Sequence, residues 1–335
     1  METKDRLSVK DIAELAGTSV ATVSRVINQN GRFSKATEAR VRKVMEEYNF
    51  QPNQLARGLR KQHTQVIGIM VPDIANSFFI SVISEIQKVL TERNYMTLIC
   101  SSNENSEIAK KQIDMLLGQK VSGLIYIGET YITDTPDIPT VYIDRDPRNS
   151  IPDMQKNFEL IESDNIQGGY LAGKELAKKG VKNATYICFN RGMSTVKKRL
   201  SGFISALEDY GVNYHEDHGV QVETVSLQEG YRATEQLLRE HPETDGIFYL
   251  SDKLAIGGLE YLSQQNIAVP EQIKVIGFDG IEMGEVVTPR LTTIRQSVEL
   301  MGRTAAERIL EIIETENVKL GKQRMPVELV VRGTT

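Results

Sequence analysis

The sequence contains little of the chemistry on which redox, metal-binding and membrane proteins depend. Only two of its 335 residues are cysteine and four are histidine, and no apolar run approaches the roughly 20 residues that a membrane-spanning helix needs. Cys100 and Cys188 each end an apolar segment, which is typical of a buried thiol on a strand rather than of a disulfide or a zinc ligand. The four histidines show no metal-ligand spacing. The sequence therefore predicts no metal, no cofactor and no transmembrane segment.

Charge is distributed unevenly along the chain, whose formal net charge is −5. Residues 1–61 carry 12 basic and 7 acidic side chains, whereas the rest of the chain carries 28 basic and 38 acidic ones. A basic head on an acidic body is typical of a protein whose head meets a polyanion, although a solvated charged surface gives the same balance. The pattern of residues inside the head therefore has to distinguish the two interpretations.

Apolar residues at helical spacing predict three short helices in residues 1–50. The first runs through 9–16 and stops at Gly17, the second follows the N-capping residue Ser19, and the third covers about 34–49. The apolar positions expected to form their shared core are Val9, Ile12, Ala13, Leu15, Ala16, Ala21, Val23, Val26, Ile27, Val41, Val44, Met45 and Tyr48. Two short helices around a tight turn make a helix-turn-helix, which also occurs in proteins that never touch DNA.

The stretch between this head and the rest of the chain predicts a marginal helix. Pro52 fits the first helical turn, and Leu55, Ala56 and Leu59 lie along one side of the next two turns. A helix of about eight residues is too short to hold together alone, and Gly58 adds a penalty of roughly 1 kcal/mol relative to alanine. The segment is expected to be ordered only when docked, and a plain linker is the alternative.

Apolar runs alternate with amphipathic helices through the rest of the chain. Continuous apolar strands separated by helices are typical of a parallel sheet covered on both faces, and the number of strands predicts two such sheets of an α/β protein. The predicted strands are 66–71, 96–100, 123–127, 140–144, 184–189, 246–250 and 274–278, and the predicted helices include 78–93, 106–117, 166–179 and 196–210.

Polar side chains follow these strands at their carboxyl ends, which is where open α/β sheets bind ligands. The set comprises Asp73, Asn76, Asn103, Asp144, Arg145, Asn190, Arg191, Ser251, Asp252 and Asp279. For any single carboxylate among them, a helix cap or a solvated loop residue is the ordinary interpretation. Their common position at strand ends favours a site for a hydroxyl-rich ligand.

The segment DIAELAGTSVATVSRVIN at 11–28 resembles the DNA-binding helices of the lactose-repressor (LacI/GalR) family almost position for position. NFQPNQLARGLRKQ at 49–62 resembles the family's hinge, and the likeness continues through DIANSFF, YIDRD, STVKKRLSGF, LSDKLAIGG, VIGFDGI and LTTIRQS. It covers essentially the whole chain. The resemblance implies an N-terminal all-α helix-turn-helix domain and an α/β periplasmic-binding-protein-like core of two parallel-sheet subdomains.

The resemblance also implies roles for residues of the head. Val20, Ala21 and Arg25 would reach base edges in the major groove, and Leu59 would wedge between base steps in the minor groove. The whole implied DNA-binding set is Ser19, Val20, Ala21, Thr22, Ser24, Arg25, Asn28, Asn53, Leu55, Ala56, Arg57 and Leu59.

In the core, the resemblance implies an effector between the two subdomains. Asp144, Arg199 and Asp279 would bond its polar groups, and Phe78 and Phe79 would line the pocket. The other implied members of the effector site are Asp73, Asn103, Arg145, Ser251, Asp252 and Gln296. The chain departs from the family at Ser251, often asparagine, and at Val225 and Val298, often aromatic.

Two other classes of protein share an α/β architecture. An enzyme is opposed by missing motifs, since no GxGxxG follows the first strand and GxxxxGK[ST], GxSxG and HExxH are absent. A sugar-binding protein for transport is opposed by the basic head and by residues 1–10, which are polar and unlike a cleavable export signal. We therefore expect a cytoplasmic, allosteric transcriptional repressor that is not an enzyme.

One helix-turn-helix reads too few base pairs for genomic specificity, so we expect a homodimer on a near-palindromic double-stranded operator. The predicted domains are a helix-turn-helix at 1–50, a hinge helix and linker at 51–64, and an effector-binding and dimerisation core at 65–335. The family resemblance implies that the core divides into an N-subdomain of about 65–162 and 294–323 and a C-subdomain of about 163–293 and 324–335. Its effector is a sugar or a sugar phosphate, and the sequence leaves open whether it induces or co-represses.

Overall fold

The computed structural model describes residues 7–28, 30–48, 50, 64–128, 136–149, 157–190, 192–214 and 219–335. The chain divides into two compact units, Met1–Thr64 and Gln65–Thr335. Five residues predicted to bind DNA through the hinge lie outside the described residues: Asn53, Leu55, Ala56, Arg57 and Leu59. Arg191, predicted at the end of a strand, also lies outside them. No helix in the described ranges is long and apolar enough to cross a membrane.

Three helices make up the described part of the N-terminal unit: α1 (Val9–Leu15), α2 (Val20–Asn28) and α3 (Lys35–Glu47). Each follows a serine whose hydroxyl accepts a hydrogen bond from a backbone N–H three residues later. These caps are Ser8 with Asp11, Ser19 with Thr22 and Ser34 with Thr37. Such a bond satisfies an N–H that the first helical turn leaves without a partner and contributes about 1 kcal/mol. The predicted capping role of Ser19 is confirmed.

The core of this unit is small and apolar. Ile12, Val23 and Val41 are fully buried, one from each helix. The helical spacing was wrong at three positions, because Leu15 and Tyr48 each keep 47% of their surface exposed and Ala21, in the first turn of α2, is exposed as well. Leu15 is the last residue of α1 and Tyr48 is the residue after α3, where the chain is leaving the helix and the spacing no longer directs a side chain inward.

The first sheet of the core unit has strand order β11-β5-β4-β3-β1-β2, and its described pairings are parallel. In chain order its strands are β1 (Val66–Val71), β2 (Met96–Ser101), β3 (Gly123–Ile127), β4 (Thr140–Ile143), β5 (Glu159–Ser163) and β11 (Lys322–Met325). The helices packed on it are α4 (Ser77–Glu92), α5 (Ser106–Gly118) and α11 (Val298–Glu314), and a 3-10 turn covers Pro147–Asn149. Every residue of β1 and β3 is buried, as expected for a sheet covered on both faces.

The second sheet has strand order β12-β10-β9-β8-β6-β7 and is parallel except where β10 meets β12. Its strands are β6 (Ala184–Phe189), β7 (Val220–Val222), β8 (Gly246–Tyr249), β9 (Lys274–Asp279), β10 (Thr292–Gln296) and β12 (Val327–Val330). Its helices are α6 (Asn165–Lys178), α7 (Ser194–Tyr210), α8 (Leu227–Glu240) and α9 (Asp252–Gln264), with a short α10 (Met283–Val286). The two-sheet architecture predicted from the sequence is confirmed.

Five strands escaped the sequence pattern: β5, β7, β10, β11 and β12. Three of them, β7, β11 and β12, are edge strands with alternating exposure, so they lack a continuous apolar run. The other two bury polar side chains that a hydropathy pattern rejects, such as Glu159 in β5 and Thr293 in β10.

The chain passes between the sheets three times: after Ser163 at the end of β5, after Gln296 at the end of β10, and at Pro326 between β11 and β12. The family resemblance implies a second crossing near residue 293. Residues 294–296 instead complete β10 in the second sheet, where they pair with β9 and β12.

The backbones of α6 and α7 touch where two glycines meet the opposite helix. A Cβ built on Gly169 would lie 1.9 Å from the carbonyl oxygen of Arg199, and one on Gly202 would lie 1.9 Å from that of Ile166. No side chain fits such contacts, so the two helices approach at backbone distance. This close approach fixes the turn of α7 that carries Arg199.

Gly169→Ala is expected to lower the free energy of unfolding by roughly 1–3 kcal/mol, because an overpacked contact forces the backbone to shift. Urea denaturation followed by circular dichroism measures the change. Gly118→Ala at the end of α5 is the control, since a Cβ there meets no atom within 4 Å. Equal destabilisation of both variants would contradict the close-contact interpretation.

Candidate functional site

A cavity of about 270 Å³ lies between the carboxyl ends of the two sheets. Each half of the core consists of one sheet with the helices packed on it. Both sheets contribute to the cavity wall, so one small ligand inside the cavity would touch both halves of the core. Its described lining is Pro72, Asp73, Asn76, Phe78, Phe79, Asn103, Glu104, Asp144, Arg145, Phe189, Thr195, Arg199, Thr224, Val225, Leu250, Ser251 and Asp279.

Nine of the residues predicted for an effector site meet in this cavity wall. They are Asp73, Phe78, Phe79, Asn103, Asp144, Arg145, Arg199, Ser251 and Asp279. Two more, Asp252 and Gln296, do not line it. Their side chains lie behind the wall and hold parts of it in place.

Arg199 forms a rigid part of the cavity floor and is only 5% exposed. Its Nε donates to Asn165 Oδ1 at 2.8 Å, and its Nη1 donates to the Leu250 carbonyl at 2.7 Å. The guanidinium carbon lies 3.6 Å from the centroid of the Phe278 ring, and Nη1 is 3.8 Å from Asp279 Oδ1. With stem, plane and two donors held in this way, the group loses little further freedom when a ligand binds.

Asp144 enters the cavity as a carboxylate with spare bonding capacity. It follows β4, is 6% exposed, and its Oδ1 has no hydrogen-bond partner among the described residues. Its backbone is in the left-handed region, with φ of 71°. A buried acceptor without a partner is costly, and strain of this kind collects where a site needs a side chain aimed in one direction. A ligand hydroxyl donating to Oδ1 would remove the cost.

Asp279 lies at the end of β9, opposite Arg199. Burial raises its pKa to about 7, and the neighbouring carboxylates Asp252 and Asp144 act in the same direction, against the attraction of Arg199. Gln296 Nε2 donates to Asp279 Oδ1 at 2.8 Å. The group is therefore close to the point where it changes from an acceptor-only carboxylate to a carboxylic acid that also donates.

Asp252 was expected around the effector, but the structure gives it a structural role. It is completely buried, and burial raises its pKa to about 6. Its Oδ2 accepts from the backbone N–H groups of Gly280 and Ile281 at 2.7 and 2.9 Å, and its Oδ1 accepts from Thr293 Oγ1 at 2.6 Å. Asp252 thus pins the loop that follows Asp279, and it has no atom on the cavity wall.

Gln296 likewise acts behind the wall. Its Oε1 accepts from Ser163 Oγ at 2.6 Å while its Nε2 donates to Asp279. Ser163 and Gln296 are the residues at which the chain leaves β5 and β10, so this bond ties two of the crossings together. Through Gln296, the hydrogen bonds from Ser163 continue to the carboxylate of Asp279 in the cavity wall.

Two aromatic rings form the apolar side of the cavity. Phe78 and Phe79 lie in the first turn of α4, whose N-cap Asn76 accepts from the Phe78 N–H, and their ring centroids are 5.6 Å apart in an edge-to-face arrangement. A Cβ on Gly128, which has φ of 61°, would lie 2.6 Å from the Phe79 ring. Only glycine combines that backbone angle with room for the ring.

The sequence missed several lining residues, among them Glu104, Phe189, Thr195, Thr224 and Leu250. One of them carried a usable signal: Thr195 stands four residues before Arg199 in a helix, so the two side chains share a face. The apolar pattern indicates only that Phe189 ends a strand. Its ring lies 5.5 Å from the Arg145 guanidinium carbon, a contact between the two sheets that no local pattern predicts.

In the N-terminal unit, α2 buries Val23 and Val26 and turns its other side to solvent. Of the residues predicted to bind DNA, Ser19, Val20, Ala21 and Arg25 are exposed, and Thr22 and Ser24 are half-buried. The side chain of Asn28 lies outside what the structure describes. Gly31 has φ of 88°, and a Cβ there would lie 3.3 Å from the Arg25 side chain. Glycine at this position therefore leaves room for the Arg25 side chain to lie along the surface.

Two family profiles match the chain. The profile of bacterial regulatory proteins, lacI family, matches residues 8–53, and that of the periplasmic binding protein-like domain matches residues 174–335. The ribose operon repressor of Halalkalibacterium halodurans is 30% identical over 332 residues, covering 98% of this chain and 97% of that protein. The chain belongs to the lacI family of bacterial regulatory proteins.

Solved structures of lacI-family proteins share this fold. The lac repressor dimer bound to operator and the anti-inducer ONPF matches with a TM-score of 0.86 and 26% identity, covering 98% of this chain and 99% of that one. A LacI family transcriptional regulator from Enterococcus faecium with bound ribose matches with a TM-score of 0.68 and 28% identity, covering 81% of this chain and 98% of that one. The family resemblance and the fold inferred from the sequence are therefore confirmed.

The raised pKa of Asp279 predicts how the stability of this lacI-family protein depends on pH. Because the folded-state pKa lies above the value of the unfolded chain, the folded state binds the extra proton between about pH 4 and pH 7. Stability is then lost as the pH rises through that window. Asp279→Asn is expected to reduce the loss, since asparagine has no proton to release.

Thermal unfolding at pH 5, 6, 7 and 8 without ligand measures this effect as the difference between variant and parent. Asp114→Asn, an exposed substitution on α5, is the control and is expected to follow the parent. Asp252 keeps part of the pH dependence in both proteins because burial raises its pKa as well. If the melting temperatures of Asp279→Asn and the parent change with pH by the same amount, the raised pKa of Asp279 is contradicted.

Proposed function

We propose that this protein is a sequence-specific DNA-binding transcriptional regulator, a repressor of carbohydrate-utilisation genes, that works in the cytoplasm and is regulatory rather than catalytic. Its operator affinity is controlled by a small-molecule effector in the cavity between the two sheets. The observation that carries the proposal is the cavity itself, in which residues from both halves of the core surround a carboxylate oxygen that has no partner among the described residues.

The effector is an unphosphorylated sugar of monosaccharide size. A cavity of about 270 Å³ is at the small end of ligand pockets, which hold drug-sized molecules at roughly 300–1,000 Å³. Among its described wall residues, four are acidic (Asp73, Glu104, Asp144, Asp279) and two are basic (Arg145, Arg199). Carboxylates accept from sugar hydroxyls and repel a phosphate. Ribose is the first compound to test, because two lacI-family relatives carry it in their names.

Operator contacts belong to the N-terminal unit. We assign 1–50 to the helix-turn-helix, 51–64 to the hinge helix and linker, and 65–335 to the core. Val20, Ala21 and Arg25 stand on the exposed side of α2, which supports a role in base reading. The hinge residues keep the roles that the family resemblance implies.

The regulator acts as a homodimer. Among the described strands, β2 forms an edge of the first sheet, and it presents Met96, 58% exposed, and Ile99, 36% exposed, on that edge. An open apolar edge of this kind is a liability in a monomer and is normally covered. Two copies joined through this side would present two reading heads to a near-palindromic operator.

Arg25→Ala is expected to remove roughly 1–3 kcal/mol of discrimination at one base position, because arginine pairs bidentately with guanine. Lys43→Ala, an exposed change on α3, is the control and is expected to weaken all sequences alike if it weakens any. Titrations of operator and random DNA at fixed salt measure both. If Arg25→Ala loses affinity for both DNAs equally, Arg25 contacts phosphate only.

Ribose is expected to stabilise the protein against heat, by about 2.7 kcal/mol at 100 times its dissociation constant. Arg199→Ala and Asp144→Asn are each expected to weaken binding at least roughly tenfold, since hydrogen bonds to charged groups contribute about 1.5–3 kcal/mol. Calorimetry measures the affinities, with Asp114→Asn as the exposed control. Both variants should bind operator like the parent without effector. Stabilisation by ribose 5-phosphate and not by ribose would contradict the charge argument.

A further inference from the structure

One ion pair joins the two halves of the core beside the first crossing. Lys198 on α7, which packs with the second sheet, donates to Oε2 of Glu162 on β5, in the first sheet. The Glu162 side chain is 6% exposed and that of Lys198 is 28% exposed. The ion pair therefore connects the two halves of the core, between which the chain passes three times.

The buried carboxylate distinguishes this pair from other ion pairs that cross between the sheets within the described ranges. Lys253 reaches Asp73 at 3.9 Å and Arg324 reaches Asp164 at 3.7 Å, but these two carboxylates are 42% and 28% exposed and can exchange their partner for water. Glu162 has little water available. An orientation of the two halves that withdrew Lys198 would leave a buried charge without its partner, which is strongly unfavourable.

The pair lies directly beside the first crossing. Glu162 precedes Ser163, the residue at which β5 leaves the first sheet, so the bond from Lys198 holds α7 against β5 where the chain passes between the halves. Lys198 directly precedes Arg199 in the same helical turn, and Arg199 forms the cavity floor. The turn of α7 that meets the ligand is thus the turn that is held to the first sheet.

We propose that the Lys198–Glu162 ion pair is an electrostatic latch that holds the two halves of the core in the orientation where both cavity walls reach one small ligand. Effector affinity then depends on a contact outside the cavity. The link to effector and operator rests on the proposed function, whereas the latch as a conformational device does not.

Spin labels measure the orientation directly. Cysteines replace the exposed residues Lys111 on α5 and Glu235 on α8, one on each half, in a Cys100→Ser background, because Cys188 is fully buried and can stay. Double electron–electron resonance measures the distance between the two labels in ligand-free protein. The labelled protein is diluted with unlabelled protein so that the two labels of one chain dominate the signal. Glu162→Gln and Lys198→Met are expected to shift or broaden the distance distribution, and the reversed pair, Glu162→Lys with Lys198→Glu, is expected to narrow it again.

Ribose titrations of the same variants supply the functional arm. Each single variant is expected to bind ribose about 5-fold or more weakly, the lower end of typical coupling between sites, with recovery in the reversed pair. The matched control is Glu175→Gln, because Glu175 is similarly buried but pairs at 3.6 Å with Lys179, the residue that follows α6, so both partners belong to the second-sheet half. This control should change neither the distance distribution nor the affinity.

A distance distribution that stays unchanged in both single variants overturns the latch, whatever ribose does. An equal effect of Glu175→Gln overturns it too, since the change would then reflect general loss of a buried charge. If Glu162→Gln fails to fold, Lys198→Met decides, because methionine keeps the apolar stem of lysine. A parent protein that ignores ribose overturns the proposed effector, and the distance measurement then judges the latch alone.

Discussion

The guanidinium of Arg199 connects its own helix, α7, with three other elements of the second-sheet half at one point. It bonds Asn165 on α6 and the carbonyl of Leu250 after β8, stacks on Phe278 in β9, and faces Asp279 at the end of that strand. These contacts depend on the glycine crossing that lets α6 and α7 touch at their backbones. The wall on the second-sheet side is built around this one buried cation.

A buried cation sets the charge balance around it. Asp279 offsets it, but burial and two neighbouring carboxylates raise the pKa of Asp279 at the same time. Three hydrogen bonds, from Gly280, Ile281 and Thr293, stabilise the buried carboxylate of Asp252. Asp144, by contrast, has one carboxylate oxygen without a partner among the described residues. The acidic side chains therefore separate into one that stabilises a loop and two that have bonding capacity left for a ligand.

The same residues connect the cavity with the crossings. Gln296 joins Asp279 to Ser163, and Lys198 joins the Arg199 turn to Glu162. Because both connections end where the chain passes between the sheets, a ligand that touches both walls acts on the relative orientation of the halves. In a two-state regulator, an effector shifts the equilibrium only by its difference in affinity for the two orientations.

The sequence alone determined the features that follow local rules. The N-capping residue Ser19 and apolar spacing indicated the three helices of the head, continuous apolar runs indicated the buried strands, and the polar residues after those strands included seven that meet in the cavity. Edge strands such as β11 and β12 lacked a signal, because a strand with one open side needs no continuous apolar run. Periodicity reports how a segment is buried, and it reports nothing about its partner.

Only the tertiary structure decided what each polar residue does. Asp144, Asp252 and Asp279 all follow strands in the sequence, yet Asp252 is a loop anchor because Thr293 and two backbone N–H groups reach it from distant parts of the chain. Glu162 and Lys198 are 36 residues apart and meet because the chain crosses between the sheets between them. The role of a charged group depends on which donors and charges surround it when water is removed, and that environment is assembled by the fold.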